Sequence, residues 1–259
     1  MTLNFPHQPD VQLENSPLAE VVCQVRFPLI LRIASEDPSE FQERVRDEFP
    51  SLEVEQGLVI RAPGAGAQNP PTAELQPGTY RFRTADEGTT ISLAADFYAV
   101  STTRYRNWEG FARYLRLTAD TMQDVYRPGY STRIGVRYIN RLTPANTGCQ
   151  TVAELCELLR PELTSHSRSE SWTKVAEMRS RLLLVDDGAK LTLSTAYGED
   201  NGSPFFLLDF DYFEEGRLKL NHLIERCSHY NEVIYRAFRW CIREEKLEVF
   251  RPRAKALAK

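Results

Sequence analysis

Asp86-Glu87-Gly88-Thr89-Thr90-Ile91-Ser92-Leu93 returns one hundred residues later as Asp186-Asp187-Gly188-Ala189-Lys190-Leu191-Thr192-Leu193. Each copy is an acidic turn ending in Gly, followed by a run in which apolar and polar residues alternate. That is the pattern of a tight hairpin entering a half-buried strand. A second echo, Val25-Arg26-Phe27 against Val136-Arg137-Tyr138, stands at an offset of 111. The difference between the offsets is about what an extra loop in the first half would introduce, so the chain reads as an internal duplication.

Working outward from these anchors, the first half begins with a strand over Leu18 to Leu31, where Val21, Cys23, Val25 and Phe27 alternate with polar neighbours. A short helix is expected over Pro38 to Phe49, with Phe41, Val45 and Phe49 on one side. Leu52 to Arg61 reads as a strand. Ala62 to Gly78, rich in Pro and Gly, reads as a mobile loop. Tyr80 to Ala85, Thr89 to Ala95 and Phe97 to Thr103 follow as strands. Asn107 then caps a helix with the stripe Trp108, Phe111, Leu115, Met122 and Val125, ended by Pro128-Gly129.

The second half repeats the programme: a strand over Thr132 to Leu142, a helix over Thr151 to Leu159, and strands over Trp172 to Met178, Arg181 to Val185, Lys190 to Ala196 and Pro204 to Phe213. Arg217 to Leu247 closes it as one long helix without internal Gly or Pro. The expectation is an α+β fold of tandem β-α-β-β-β-β-α halves. Their sheets form a broad curved antiparallel sheet with the two long helices on one face. The halves would be residues 1–128, containing the mobile loop 62–78, and 129–250, with 251–259 as a basic tail, all in one compact unit.

The chain of 259 residues carries 32 Lys plus Arg against 36 Asp plus Glu, a formal charge of −4, which argues against a uniformly basic duplex-binding module. At this length roughly three quarters of the unfolded surface can be buried, so a core needs no disulfide or metal. The five cysteines, Cys23, Cys149, Cys156, Cys227 and Cys241, contain no C-x-x-C pair, and a disulfide framework is not expected. The first residues lack the basic and apolar segments of a secretory signal, and no stretch approaches the ~18 apolar residues of a membrane span. A cytoplasmic protein is the expectation.

The basic residues are uneven, 26 Arg against 6 Lys. Strand parity puts Arg133, Arg137 and Arg141 on one face of their strand and Ile134, Val136 and Tyr138 on the other. Arg26, Arg81, Arg83, Arg179 and Arg181 fall on the same side of their own strands. A row of guanidiniums binds phosphate or carboxylate bidentately, as Lys does not. The competing reading is that they pair with acids on neighbouring strands. Asp209 and Asp211, two apart in a strand, share a side. They are either a seat for Mg²⁺ or partners for Arg137 and Arg141.

His222, Glu225, His229 and Glu232 fall on one side of the long helix, yet no His-Glu-x-x-His or Glu-x-x-His set accompanies them. They read as a helix edge bonded to its neighbours. His7 and His166 read as loop residues. Tyr98, Tyr105, Trp108, Tyr114 and Tyr138 offer stacking surfaces for bases, but packing explains them better. No P-loop, dinucleotide fingerprint or nucleophile elbow is present. Arg251 to Lys259 reads as a solubilising end.

Three motifs occur in order along the chain. They are Ser16-Pro17-Leu18-Ala19-Glu20-Val21-Val22-Cys23-Gln24-Val25-Arg26-Phe27, then Arg137-Tyr138-Ile139-Asn140-Arg141, then Leu208-Asp209-Phe210-Asp211 before a His-containing helix. Together they resemble a sporadically distributed prokaryotic family of similar length and uncharacterised role. Patchy occurrence implies horizontal transfer, which suits accessory or defence-associated genes. The resemblance carries over no catalytic residue.

The sequence therefore suggests a non-catalytic binding or adaptor protein with a protein partner, no cofactor and no membrane. A nucleic-acid or nucleotide sensor using the Arg-rich face is the alternative, and an Mg²⁺-dependent enzyme on Asp209 and Asp211 a weaker one. The candidate binding residues are Arg26, Arg133, Arg137, Arg141, Asp209 and Asp211. None is expected to be catalytic or to hold a metal.

Overall fold

The computed structural model describes residues 3–7, 9, 11–61, 72–167 and 175–254, with 56–61, 72–77 and 254 at the level of the backbone. The strands are β1 (Val11–Leu13), β2 (Leu18–Arg26), β3 (Ser51–Arg61), β4 (Thr72–Arg83), β5 (Thr89–Ala94), β6 (Phe97–Thr102), β7 (Ser131–Leu142), β8 (Met178–Asp186), β9 (Ala189–Asp200), β10 (Ser203–Leu218) and β11 (Pro252–Ala254). The helices are α1 (Leu31–Ser35), α2 (Ser39–Val45), α3 (Trp108–Val125), α4 (Pro144–Thr147), α5 (Val152–Glu157), α6 (Pro161–Thr164) and α7 (Leu223–Cys241). The fold is mixed α and β, with an antiparallel sheet of nine strands, helices packed on the sheet, and a separate pair of β1 with β11. Contacts sort the chain into two units, Val22–Ile134 with Glu215–Ile224, and Met1–Val21 with Gly135–Glu214 and Glu225–Lys259.

In the first of these units the strand order is β3-β4-β5-β6-β2. Its core is the alternate set predicted by parity. Cys23 and Val25 of β2 are buried, and the other strands add Tyr80, Phe82, Ile91, Leu93, Tyr98 and Val100, all buried as well. Helix α3 lays Phe111, Leu115, Met122 and Val125 toward this core. Its start is set locally, because Asn107 Oδ1 accepts the Gly110 N–H at 2.8 Å, a cap worth about 1 kcal/mol. Phe41 of α2 meets Phe82 with ring centroids 5.3 Å apart.

In the other unit the order is β7-β10-β9-β8. Val136, Tyr138, Leu191, Leu193, Tyr197, Phe206, Leu208, Phe210 and Tyr212 are buried on the helix side of these strands. Phe210 meets Phe238 of α7 edge-on at 6.5 Å, and Tyr138 Oη donates to Asn231 Oδ1 at 2.6 Å.

Several elements depart from expectation. The strand at Leu18 stops at Arg26 because the chain turns there, the Phe27 N–H donating to Asp96 O at 2.9 Å and the Ile30 N–H to Ala95 O at 2.8 Å. The helix expected over Pro38 to Phe49 is regular only to Val45. Of the loop expected over Ala62 to Gly78, residues 62–71 lie outside those described, and 72–78 extend β4. The strand expected over Trp172 to Met178 is not formed at 175–177, and 172–174 lie outside the described residues. Strand β8 starts at Met178 and runs unbroken to Asp186.

The long helix expected over Arg217 to Leu247 is shorter at both ends. Strand β10 runs on to Leu218, and His222 takes a positive φ of 61° just before the helix begins. At the far end the chain is captured by another segment: Ile242 bridges to Leu159, and the Arg243 N–H donates to Leu158 O at 2.9 Å. His222 is therefore off the helical face assigned to it. The basic end is ordered as far as Ala254, where β11 pairs with β1 and Arg253 pairs with Glu14; residues 255–259 lie outside those described.

Candidate functional site

On the faces of β7 and β10 turned away from the buried core, Arg137 and Asp209 are the two sequence-chosen residues that meet. On β7 the buried residues Ile134, Val136, Tyr138, Asn140 and Leu142 alternate with Arg133, Arg137 and Arg141. On β10 Phe206, Leu208, Phe210 and Tyr212 are buried, which turns Asp209 and Asp211 to the opposite side.

Arg137 grips Asp209 with two parallel hydrogen bonds, Nε to Oδ1 at 2.8 Å and Nη2 to Oδ2 at 2.7 Å. The Asp209 side chain is only 13% exposed, so this is a bidentate, partly desolvated pair rather than a fluctuating surface contact. The Asp209 hydrogen bonds hold the Arg137 guanidinium above its ordinary pKa, with the charges of Asp211 and Glu20 adding to the effect. Arg141 donates to Asp200 Oδ2 at 2.7 Å and lies 4.9 Å over the ring of Phe205. Arg133 also takes part in an interaction. Asp200 and Phe205 were not among the sequence candidates. Residues 200 and 203 are opposed across an Asn201-Gly202 turn in which both φ angles are positive, 51° and 78°, and Asn-Gly is the strongest short hairpin signal.

The arginines of the other unit are engaged in the same way. Arg81 donates to Glu55 Oε2 at 2.7 Å and Arg83 to Glu53 Oε2 at 2.6 Å, while Arg26 lies 4.0 Å from Asp96. On β8, Arg179 donates to Glu177 at 2.8 Å.

The helix side of β10 carries a second polar group of residues. Tyr212 Oη donates to Asp186 Oδ2 at 2.7 Å, and Tyr230 Oη donates to Glu214 Oε1 at 2.6 Å, with Arg226 on the other oxygen of Glu214. Burial, reinforced by these carboxylates, pushes both phenol pKa values well up. Both tyrosines are therefore neutral donors, Tyr230 tying α7 to β10 and Tyr212 tying β10 to the end of β8, rather than acid–base groups. Burial likewise pushes the Cys241 thiol far up, which keeps it an unreactive core group.

His229 stands edge-on to Tyr212 at 6.2 Å, and His166 is stacked on buried Tyr197 at 6.5 Å rather than lying in an open loop. Among the described residues no group of three His, Cys, Asp or Glu side chains is placed to hold a metal ion. Tyr98, Tyr105, Trp108 and Tyr114 pack on Phe27, Phe111 or Phe49.

One surface was not foreseen. Strand β8 is last in its unit, and its outer hydrogen-bonding edge has no strand partner among the described residues. Leu183 and Val185 on its helix-free side are 55% and 66% exposed, and Leu182 on the helix side is 45% exposed. Four consecutive apolar residues, Leu182 to Val185, form the run. Natural edge strands are usually interrupted by charge, Pro or a bulge, and an edge that stays apolar is an invitation to pairing. The run was legible as a strand; that it forms an edge depends on which strands pair.

The chain matches no protein-family model and no curated protein.

Proposed function

We propose that this chain is a non-catalytic binding or adaptor protein that engages a protein partner by strand addition along β8. The observation that carries the reading is the exposed apolar edge at Leu182, Leu183 and Val185. An added strand would satisfy the outward backbone groups, and pockets for alternate side chains would select it. The arginines point the same way. Arg137 and Arg141, the centre of the alternative nucleic-acid reading, already hold Asp209 and Asp200, so a phosphate would have to displace bonded carboxylates. Asp209 is likewise spent on Arg137, which counts against an Mg²⁺ site on Asp209 and Asp211.

The order of elements supports internal duplication as the origin of this scaffold. A strand, short helices, an antiparallel run of strands and a long helix occur as β2, α1–α2, β3–β6, α3, and again, with three strands in the run instead of four, as β7, α4–α6, β8–β10, α7. Five free cysteines, four of them buried, support residence in a reducing cytoplasm.

Affinity purification from the producing cell tests the reading. A stoichiometric protein should accompany the unaltered chain and be lost with Leu183→Lys at unchanged circular dichroism. A turnover abolished by Asp209→Asn in a folded chain would overturn it.

A further inference from the structure

Resting on β8 as the binding edge, we propose that the partner it fits is a second copy of this chain, paired antiparallel across a twofold axis at Leu183.

The turn decides which backbone groups are available. Asp186 and Ala189 oppose each other across Asp187-Gly188, whose φ angles are both positive at 32° and 92°, the arrangement of a two-residue hairpin. In such a hairpin the residues flanking the turn exchange their hydrogen bonds, so even-numbered residues of β8 bond to β9. The odd-numbered residues Arg179, Arg181, Leu183 and Val185 therefore turn their N–H and C=O groups outward. Any strand added here must bond to that odd set.

The same odd set is self-complementary. With the axis at Leu183, the two Leu183 residues exchange backbone hydrogen bonds with each other, and Arg181 does so with Val185 of the second copy. Four positions on either side of the axis stand Arg179 and Asp187, both exposed, and since the Glu177 that Arg179 now holds is itself exposed, each Arg179 can exchange it for the Asp187 of the other copy. On the helix side Leu182 meets Leu184. Moving the axis to Arg181 would set two guanidiniums directly opposite each other, and moving it to residue 182 would set Glu177 against Asp187. The charges thus exclude those two registers, and an axis at Leu184, which would set Arg181 against Asp187, is told apart because Arg179 then has no Asp187 opposite it; every such isologous interface uses the same patch on both copies.

Sedimentation of the full chain over a micromolar concentration range reads this directly. The expected result is a species of twice the chain's mass, dissociated by Leu183→Lys without loss of circular dichroism. Arg179→Asp puts Asp against Asp187, and Asp187→Lys puts Lys against Arg179, so each variant alone should dimerise about tenfold more weakly or worse. Mixed, the two variants complement each other at both ends and should form heterodimers with affinity restored.

A chain that stays monomeric throughout, a dimer indifferent to Leu183→Lys, or variants that fail to pair on mixing would each overturn the proposal. If the chain is monomeric while Leu183→Lys still releases a co-purifying protein, the second copy is excluded and the adaptor reading stands.

Discussion

Strands β3 and β8 are each the outermost strand of their own unit, and they treat their edges in opposite ways. On the helix-free side of β3, Glu53 and Glu55 are charged and tied to Arg83 and Arg81 of β4, and the pairing shifts register between Glu55 and Gln56. On the corresponding side of β8, Arg179 and Arg181 give way to exposed Leu183 and Val185, and the pairing with β9 is regular from Met178 to Asp186. Charge and an irregularity are two of the devices that keep sheet edges from pairing. The first edge has both, and half of the second has neither. The difference teaches where to look for a partner: helix-side exposure alone does not separate the strands, since Leu52 and Val54 of β3 are also partly exposed.

The largest effect expected from breaking this comparison lies beneath β8. Leu193 of β9, directly opposite Leu182 and buried, anchors the strand, so Leu193→Ala should cost about 2–5 kcal/mol in urea unfolding. Leu182→Ala, at a half-exposed edge position, should cost less than about 1 kcal/mol. Measured in the Leu183→Lys background, which keeps the chain monomeric, equal losses at the two sites would mean that β8 is not an edge of the single chain.

Next in size is the contrast between ion pairs. Asp209→Ala removes the bidentate partner of Arg137 and should destabilise the chain by about 1–2 kcal/mol. Glu53→Ala, at a more exposed pair, should change stability by about 0.5 kcal/mol or less. Urea midpoints of the two variants check the ranking.

Converting one edge into the other gives a smaller change in stability but a clear change in behaviour. Glu53→Leu with Glu55→Leu leaves Arg81 and Arg83 without acids and makes β3 resemble β8. Light scattering should then show concentration-dependent association beyond that of the unaltered chain.

The smallest effect concerns acid. In the β4–β5 turn Asp86 accepts from Thr84 Oγ1 at 2.7 Å and from the Gly88 N–H at 3.1 Å, and these bonds, Thr84 first, hold its carboxyl below the ordinary range. A carboxyl depressed on folding contributes stability above its unfolded pKa and loses it as pH falls through the folded one. Asp86→Asn should therefore lower the midpoint slightly at neutral pH and make no difference once the pH is well below the ordinary Asp value of about 4.

Much of this was legible residue by residue. Parity separated Arg133, Arg137 and Arg141 from Ile134, Val136 and Tyr138, because successive side chains on a strand must point to opposite faces. Asn107 marked a helix start, and Asp187-Gly188 marked a hairpin, because caps and tight turns are satisfied within a few residues. The Asn201-Gly202 turn carries a signal of the same kind, and it is this turn that brings Asp200 toward Arg141. The end of α7 was not legible, since Cys241 is the last helical residue only because Ile242 and Arg243 bond to Leu159 and Leu158.

The sequence by itself determined the α+β class, the alternation of each strand and the local turns, all of which follow from periodicity and short-range hydrogen bonding. Only the tertiary structure decided that Asp209 answers Arg137, that Asp200 answers Arg141, and that Leu183 and Val185 stand on an outer strand. Those outcomes depend on which strands lie side by side and in what register, and pairing between segments distant in sequence leaves no mark in the local pattern of either one.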